Sequence, residues 1–231
     1  MVVLPRENLQ SLRITPMFNG QDLSSATGFL SPGPDGYYLV TNWHVLSGRN
    51  AITQEILSKG GATPDALRIS HPSIEGLGHW TDRIEPLRNA DSEAMWREHP
   101  IWGSLVDVAA IHLTQTEGIT ADPHNPAQIN SDVYIAIGER LSVIGFPFGV
   151  TSAGGFPIWT QGFVATEPEL LFADLLCFLI DSLIGPPRCS LHPGVWPPPL
   201  KHLLHRRSSR HTAAPPFGVE RTPPGNPESH K

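Results

Sequence analysis

Short β-prone runs set between glycine- and proline-rich turns recur along residues 1–183, and this pattern favours many short strands over long helices. Gly28-Phe29-Leu30 and residues 37–41 (YYLVT) flank Ser31-Pro32-Gly33-Pro34-Asp35-Gly36. Proline and glycine supply turn dihedrals there, and Asp-Gly marks a hairpin. Further runs follow at residues 106–113 (VDVAAIHL), 141–146 (LSVIGF), 158–165 (IWTQGFVA) and 175–180 (LLCFLI). Residues 85–99 are the stretch with some helical character. Charged residues make up only 16% of the chain, against 21 Gly and 24 Pro, which fits turn-rich β structure. An all-β barrel or sandwich is therefore expected, in a chain of 231 residues that is long enough for one large domain or two small ones.

The composition breaks near residue 184. Residues 184–231 hold seven Lys or Arg against two Glu, a formal +5, so residues 1–183 carry −11 within a total of −6. The segment 184–231 also holds 11 of the 24 prolines, among histidines, arginines and serines with no strand or helix period. Such a segment buries too little apolar surface to offset its chain entropy, so a disordered or loosely attached tail is expected. Its basic cluster, residues 201–210, lacks the interleaved aromatics that stack on bases, so a solvated tail is the reading preferred to a nucleic-acid or membrane tether.

The chemistry lies in the order of a few residues. Residues 25–30 (SATGFL) are followed, past the turn, by Thr41-Asn42-Trp43-His44-Val45. Sixty-three positions after His44 comes Asp107, in Asp107-Val108-Ala109-Ala110. Gly145-Phe146-Pro147-Phe148-Gly149 and Leu179-Ile180-Asp181 follow. Over roughly residues 24–181 this order resembles the trypsin-like serine peptidases, especially their bacterial and HtrA-like branch. The T-N-W-H-V and D-V-A-A pieces together are its distinctive part.

The resemblance implies two antiparallel β-barrels, with a first barrel over residues 1–130 and a partial second over residues 131–183. It implies His44 just past a strand on one wall of the first barrel as general base and Asp107, from the barrel's later strands, as its orienting partner. The expected substrate is a peptide or protein, and neither cofactor nor metal is implied. A serine hydroxyl needs a base near neutral pH, and imidazole needs an anion on its other nitrogen to fix its tautomer.

The nucleophile is missing. The family places a G-x-S-G loop about eight residues after the I-D strand, where it supplies both the serine and the backbone N–H groups of the oxyanion hole. Here residues 182–194 read SLIGPPRCSLHPG, and no G-x-S-G occurs anywhere in the chain. Cys189 and Ser190 stand at the expected distance, without the surrounding glycines. Because the gap coincides with the composition break, a reading frame lost just after Asp181 is expected. The chain is then either an impaired peptidase or an inactive homologue that binds peptide or protein.

Other features carry less. His71, His79 and His99 have no metal-ligand spacing and read as surface or hydrogen-bonding histidines. Gly154-Gly155 suits a turn between strands of the second barrel. No run of 18 apolar residues and no signal-peptide core appear, and the only cysteines are Cys177 and Cys189. These point to a cytoplasmic, reducing compartment, with neither membrane nor nucleic acid as partner.

Overall fold

Alternation of buried and exposed side chains, as in strands with one face on a core, runs through most of the described segments. The computed structural model describes residues 4–125, 134–172, 175–182 and 188–189, and these form two antiparallel sheets. The first contains β1 (Ser11–Phe18), β2 (Gln21–Asp22), β3 (Ala26–Gly33), β4 (Gly36–Thr41), β5 (Ala66–Pro72), β6 (Trp80–Pro86), β7 (Trp96–Glu98) and β8 (Ala109–His112). Its order is β6-β5-β1-β3-β4-β8-β7, with β2 paired to β1. The second is ordered β12-β11-β10-β9, from β9 (Arg140–Gly145), β10 (Ile158–Val164), β11 (Leu179–Ser182) and β12 (Arg188–Cys189). Two short α-helices, α1 (Glu7–Gln10) and α2 (Trp43–Ser47), complete the regular α structure of the described residues. The fold is all-β, as expected, and no helix among the described residues is long and apolar enough to cross a membrane.

The first sheet closes around Leu12, Ile14, Leu39, Leu67, Ile69 and Ile111, each 0–1% exposed. Glu85 also faces inward and is buried. Its carboxylate accepts hydrogen bonds from Thr114 N, Gln115 N and Thr114 Oγ1 at 2.8, 2.9 and 2.6 Å. Three short contacts tie the two sheets. Phe146 N donates to Thr27 Oγ1 at 3.0 Å, Trp159 Nε1 to Asn8 Oδ1 at 2.5 Å, and Trp80 Nε1 to Gly154 O at 2.7 Å. Gly155, at φ +77°, is needed at this last contact, because a Cβ there would lie 2.6 Å from Trp80 Nε1.

Several expectations are corrected. Residues 85–99 form no helix. Asn89 Oδ1 accepts from Asp91 N and Glu93 N, and this side-chain turn, with Ser92 at φ +64°, folds the segment back towards β7. The strand expected from residue 106 begins at Ala109, because residues Ser104–Val106 form a 3₁₀ turn and Asp107 is left-handed. The strand expected at 175–180 begins at Leu179. His44 lies just past β4, as expected, in the short helix α2. His71 is buried on β5, not at the surface, and neither ring nitrogen has a hydrogen-bond partner among the described residues. Cys177 is disulfide-bonded. Of the tail expected to lack structure, Arg188 and Cys189 pair with Ile180 and Leu179, and the rest lies outside the described residues, as does Ser190.

Candidate active site

Antiparallel pairing of β4 with β8 is what brings together two residues 63 apart in the chain. Thr41, the last residue of β4, pairs with Ala109, the first of β8. His44 stands three residues beyond the one and Asp107 two before the other. The chain turns into α2 after Asn42, so the imidazole swings back over the strand ends. His44 Nδ1 lies 2.7 Å from Asp107 Oδ2 and 3.0 Å from Oδ1. The backbone N–H of His44 donates to Oδ1 at 2.9 Å.

Asp107 adopts φ +52° and ψ 36°, left-handed values that aspartate and asparagine tolerate better than most residues. Bonds from the α2 side hold it in that conformation. Trp43 N donates to Asp107 O at 3.1 Å, and Asn42 Nδ2 donates to the same carbonyl at 3.1 Å and to Oδ2 at 3.2 Å. Asn42 occupies the N-cap of α2, yet its side chain makes no capping bond. Its amide is spent on Asp107, and sequence reading gave it no role. The available signal was an asparagine at a helix start next to the histidine, which ordinarily reads as a cap. Trp43 is anchored from below: its Nε1 donates to Glu98 Oε1 at 2.6 Å, and Trp96 Nε1 donates to the same oxygen at 3.2 Å.

The arrangement defines what the imidazole can do. A carboxylate only accepts, so in the neutral ring Nδ1 carries the proton and Nε2 keeps its lone pair. Among the described residues Nε2 has no hydrogen-bond partner, and the pair remains partly open to solvent, with side chains 41% and 28% exposed. Such a histidine can take a proton at Nε2 while the carboxylate stabilises the cation formed. A cavity of about 330 Å³ opens beside it. Cys189 reaches the second sheet through the backbone of β12, and Ser190 lies outside the described residues. His71, His79 and His99 take no part in this site.

No family profile matches the chain, and no curated protein does. Among solved structures the chain is similar to Deg5, at 16% identity and a TM-score of 0.47, covering 77% of this chain and 70% of that one. It is also similar to the MamO protease domain from Magnetospirillum magneticum, at 13% identity and a TM-score of 0.42, covering 77% and 74% respectively. The residue roles rest on this chain's own geometry.

Proposed function

We propose that this chain is a trypsin-like serine endopeptidase by descent, with His44 as general base and Asp107 as the group that orients it. The observation that carries the reading is the 2.7 Å contact of His44 Nδ1 with Asp107 Oδ2, made by the residues that the sequence motifs single out. The reaction is acyl transfer. A hydroxyl gives its proton to Nε2 as its oxygen attacks a peptide carbonyl, the amine leaves with that proton, and water then hydrolyses the acyl-enzyme. Substrates are peptides or proteins. An oxidising compartment suits the disulfide at Cys177 better than the cytoplasm does.

A specific observation favours a second reading, in which the chain as written is inactive and at most binds peptides or proteins. No G-x-S-G stands anywhere in the sequence. His44 and Asp107 activate a nucleophile without replacing one. In well-studied triads, loss of the serine alone lowers turnover by about 10⁶-fold. The loop glycines that build an oxyanion hole are missing too.

The two readings meet in one experiment. The coding DNA is resequenced across codons 181–190, and the chain that follows from any frame spelling G-x-S-G is expressed and assayed on a peptide library. That repaired chain is expected to cleave peptides and to lose the activity on His44→Ala, whereas the present chain does not cleave. A repaired chain that binds peptides but cleaves none would leave the binding-module reading standing alone.

A further inference from the structure

Two indole N–H groups converge on one carboxylate oxygen at the end of the sheet that carries the histidine–aspartate pair. Trp43 Nε1 donates to Glu98 Oε1 at 2.6 Å, and Trp96 Nε1 donates to the same oxygen at 3.2 Å. Trp96 and Glu98 stand two apart on β7, so their side chains share a face. Trp43 comes from 55 residues away in the chain. Strand order explains the meeting, because Ala109 on β8 pairs with Glu98 on β7 and with Thr41 on β4. Glu98 therefore ends its strand next to the strand ends that lead to Asp107 on one side and to Trp43 and His44 on the other.

Helix α2 is too short to hold His44 by itself. It has five residues, and its N-cap, Asn42, makes no side-chain capping bond. Its first turn is gripped from two sides instead. On one side Trp43 N donates to Asp107 O and His44 N to Asp107 Oδ1. On the other the Trp43 indole is buried, and its single polar group ends on Glu98. Apolar packing around a ring has no direction, whereas a hydrogen bond to a carboxylate sets one. At 2.6 Å this bond has the short length of a charge-assisted one. Glu98 is itself exposed, so its carboxylate stays hydrated while it accepts.

We infer that Glu98 is a positioning residue: through Trp43 it fixes the start of α2, and with it the direction of the His44 imidazole towards Asp107. Its side-chain hydrogen bonds among the described residues go to the two indoles, so it acts on the pair only through Trp43. Calling His44 a base rests on the peptidase reading, and the anchoring rests on these contacts alone.

The test is proton NMR of the full chain, which reads exchange of the His44 Nδ1 proton with solvent. Glu98→Ala should speed that exchange at least about tenfold, as loss of a hydrogen bond to a charged group implies. The backbone amides of β5 should exchange as before. Glu98→Gln, whose amide oxygen still accepts, should restore most of the protection. Trp43→Phe keeps a ring and removes the donor, so it should act like Glu98→Ala, and the two together should do no more than either alone. It also serves in place of Glu98→Ala if that variant is unstable. A role confined to stability would leave Nδ1 exchange unchanged or speed it equally with the β5 amides. Either result, failure of Glu98→Gln to rescue, or absence of the proton in the unsubstituted chain would overturn the inference.

In the repaired chain Glu98→Ala should lower kcat and leave KM unchanged, the pattern of a group that acts through the base and not on bound substrate. If the repaired chain never cleaves while Glu98→Ala still speeds the exchange, the peptidase reading falls and the anchoring stands. If it cleaves and Glu98→Ala alters neither exchange nor kcat, the anchoring falls and the peptidase reading stands.

Discussion

The first sheet and the second are made of the same kind of strand and differ, among the described residues, in how much apolar side chain they bury. Around the first, Leu12, Ile14, Leu39, Leu46, Leu67 and Ile69 are all but inaccessible, and the strands follow one another from β6 to β7. On the second, only Val164, Phe178 and Ile180 form a buried cluster among the described residues, while Leu141 and Val143 on β9 are only partly covered. The two halves of the chemistry divide the same way. His44 and Asp107, with every contact that orients them, belong to the first sheet and its connections. Under the peptidase reading a nucleophile would follow β11, and the sequence there holds no G-x-S-G. The geometry of this histidine–aspartate pair is therefore set within one sheet and its connections.

If that contrast is real, core truncation separates the two sheets most strongly. Ile69→Ala is expected to cost about 2–5 kcal/mol, the range for a large aliphatic side chain removed from a close-packed core. Val143→Ala should cost clearly less, because its side chain is already partly solvated. Denaturant unfolding of the two variants measures this, and equal losses would break the comparison.

Acid should weaken the first sheet next. Burial pushes the His71 imidazole down to about 4, with the positive charge of Arg83 adding to the effect and Asp82 opposing it. In the unfolded chain the ring has its ordinary value near 6.5. The unfolded state therefore binds the proton more readily below about pH 6.5, and stability falls from there down to about pH 4. The loss is on the order of 3 kcal/mol, at about 1.4 kcal/mol per pH unit. His71→Leu should flatten this part of the pH–stability curve, and an unchanged slope would show that the ring is protonated freely in the fold.

The tie between the sheets predicts a smaller effect. Gly155→Ala should destabilise by about 1–2 kcal/mol, the ordinary cost of a left-handed conformation for a residue with a Cβ. Part of the loss should appear as quenching changes in Trp80 fluorescence, since the added methyl group meets that indole. The smallest change is expected at the exposed pair of Arg6 with Asp122, where Arg6→Ala should leave the unfolding midpoint unmoved.

Much of this was legible in the residues, for physical reasons that differ from place to place. The β3–β4 hairpin could be read because Pro34 and Asp35 leave the backbone few alternatives, and Gly33 does pair with Gly36. Strands β9 and β10 were legible from their apolar runs. Strand β5 was missed although Leu67 and Ile69 alternate with Arg68 and Ser70, since Pro72 and His71 at its end look like loop residues. The apparent helix at 85–99 failed because one asparagine side chain captured two backbone N–H groups, an effect that periodicity does not register. At the site, His44 and Asp107 could be found by their flanking residues. Asn42 could not, because its role depends on a left-handed aspartate 65 residues away.

The central claim is that His44 and Asp107 form a fixed hydrogen-bonded pair in a chain without a G-x-S-G sequence. Proton NMR of the His44 ring tests it most directly. The chain should show a low-field Nδ1 proton, protected from exchange, that disappears in Asp107→Ala and broadens in Asn42→Ala while the signals of the first sheet stay in place. Absence of that proton in the unsubstituted chain, or its persistence in Asp107→Ala, would contradict the account.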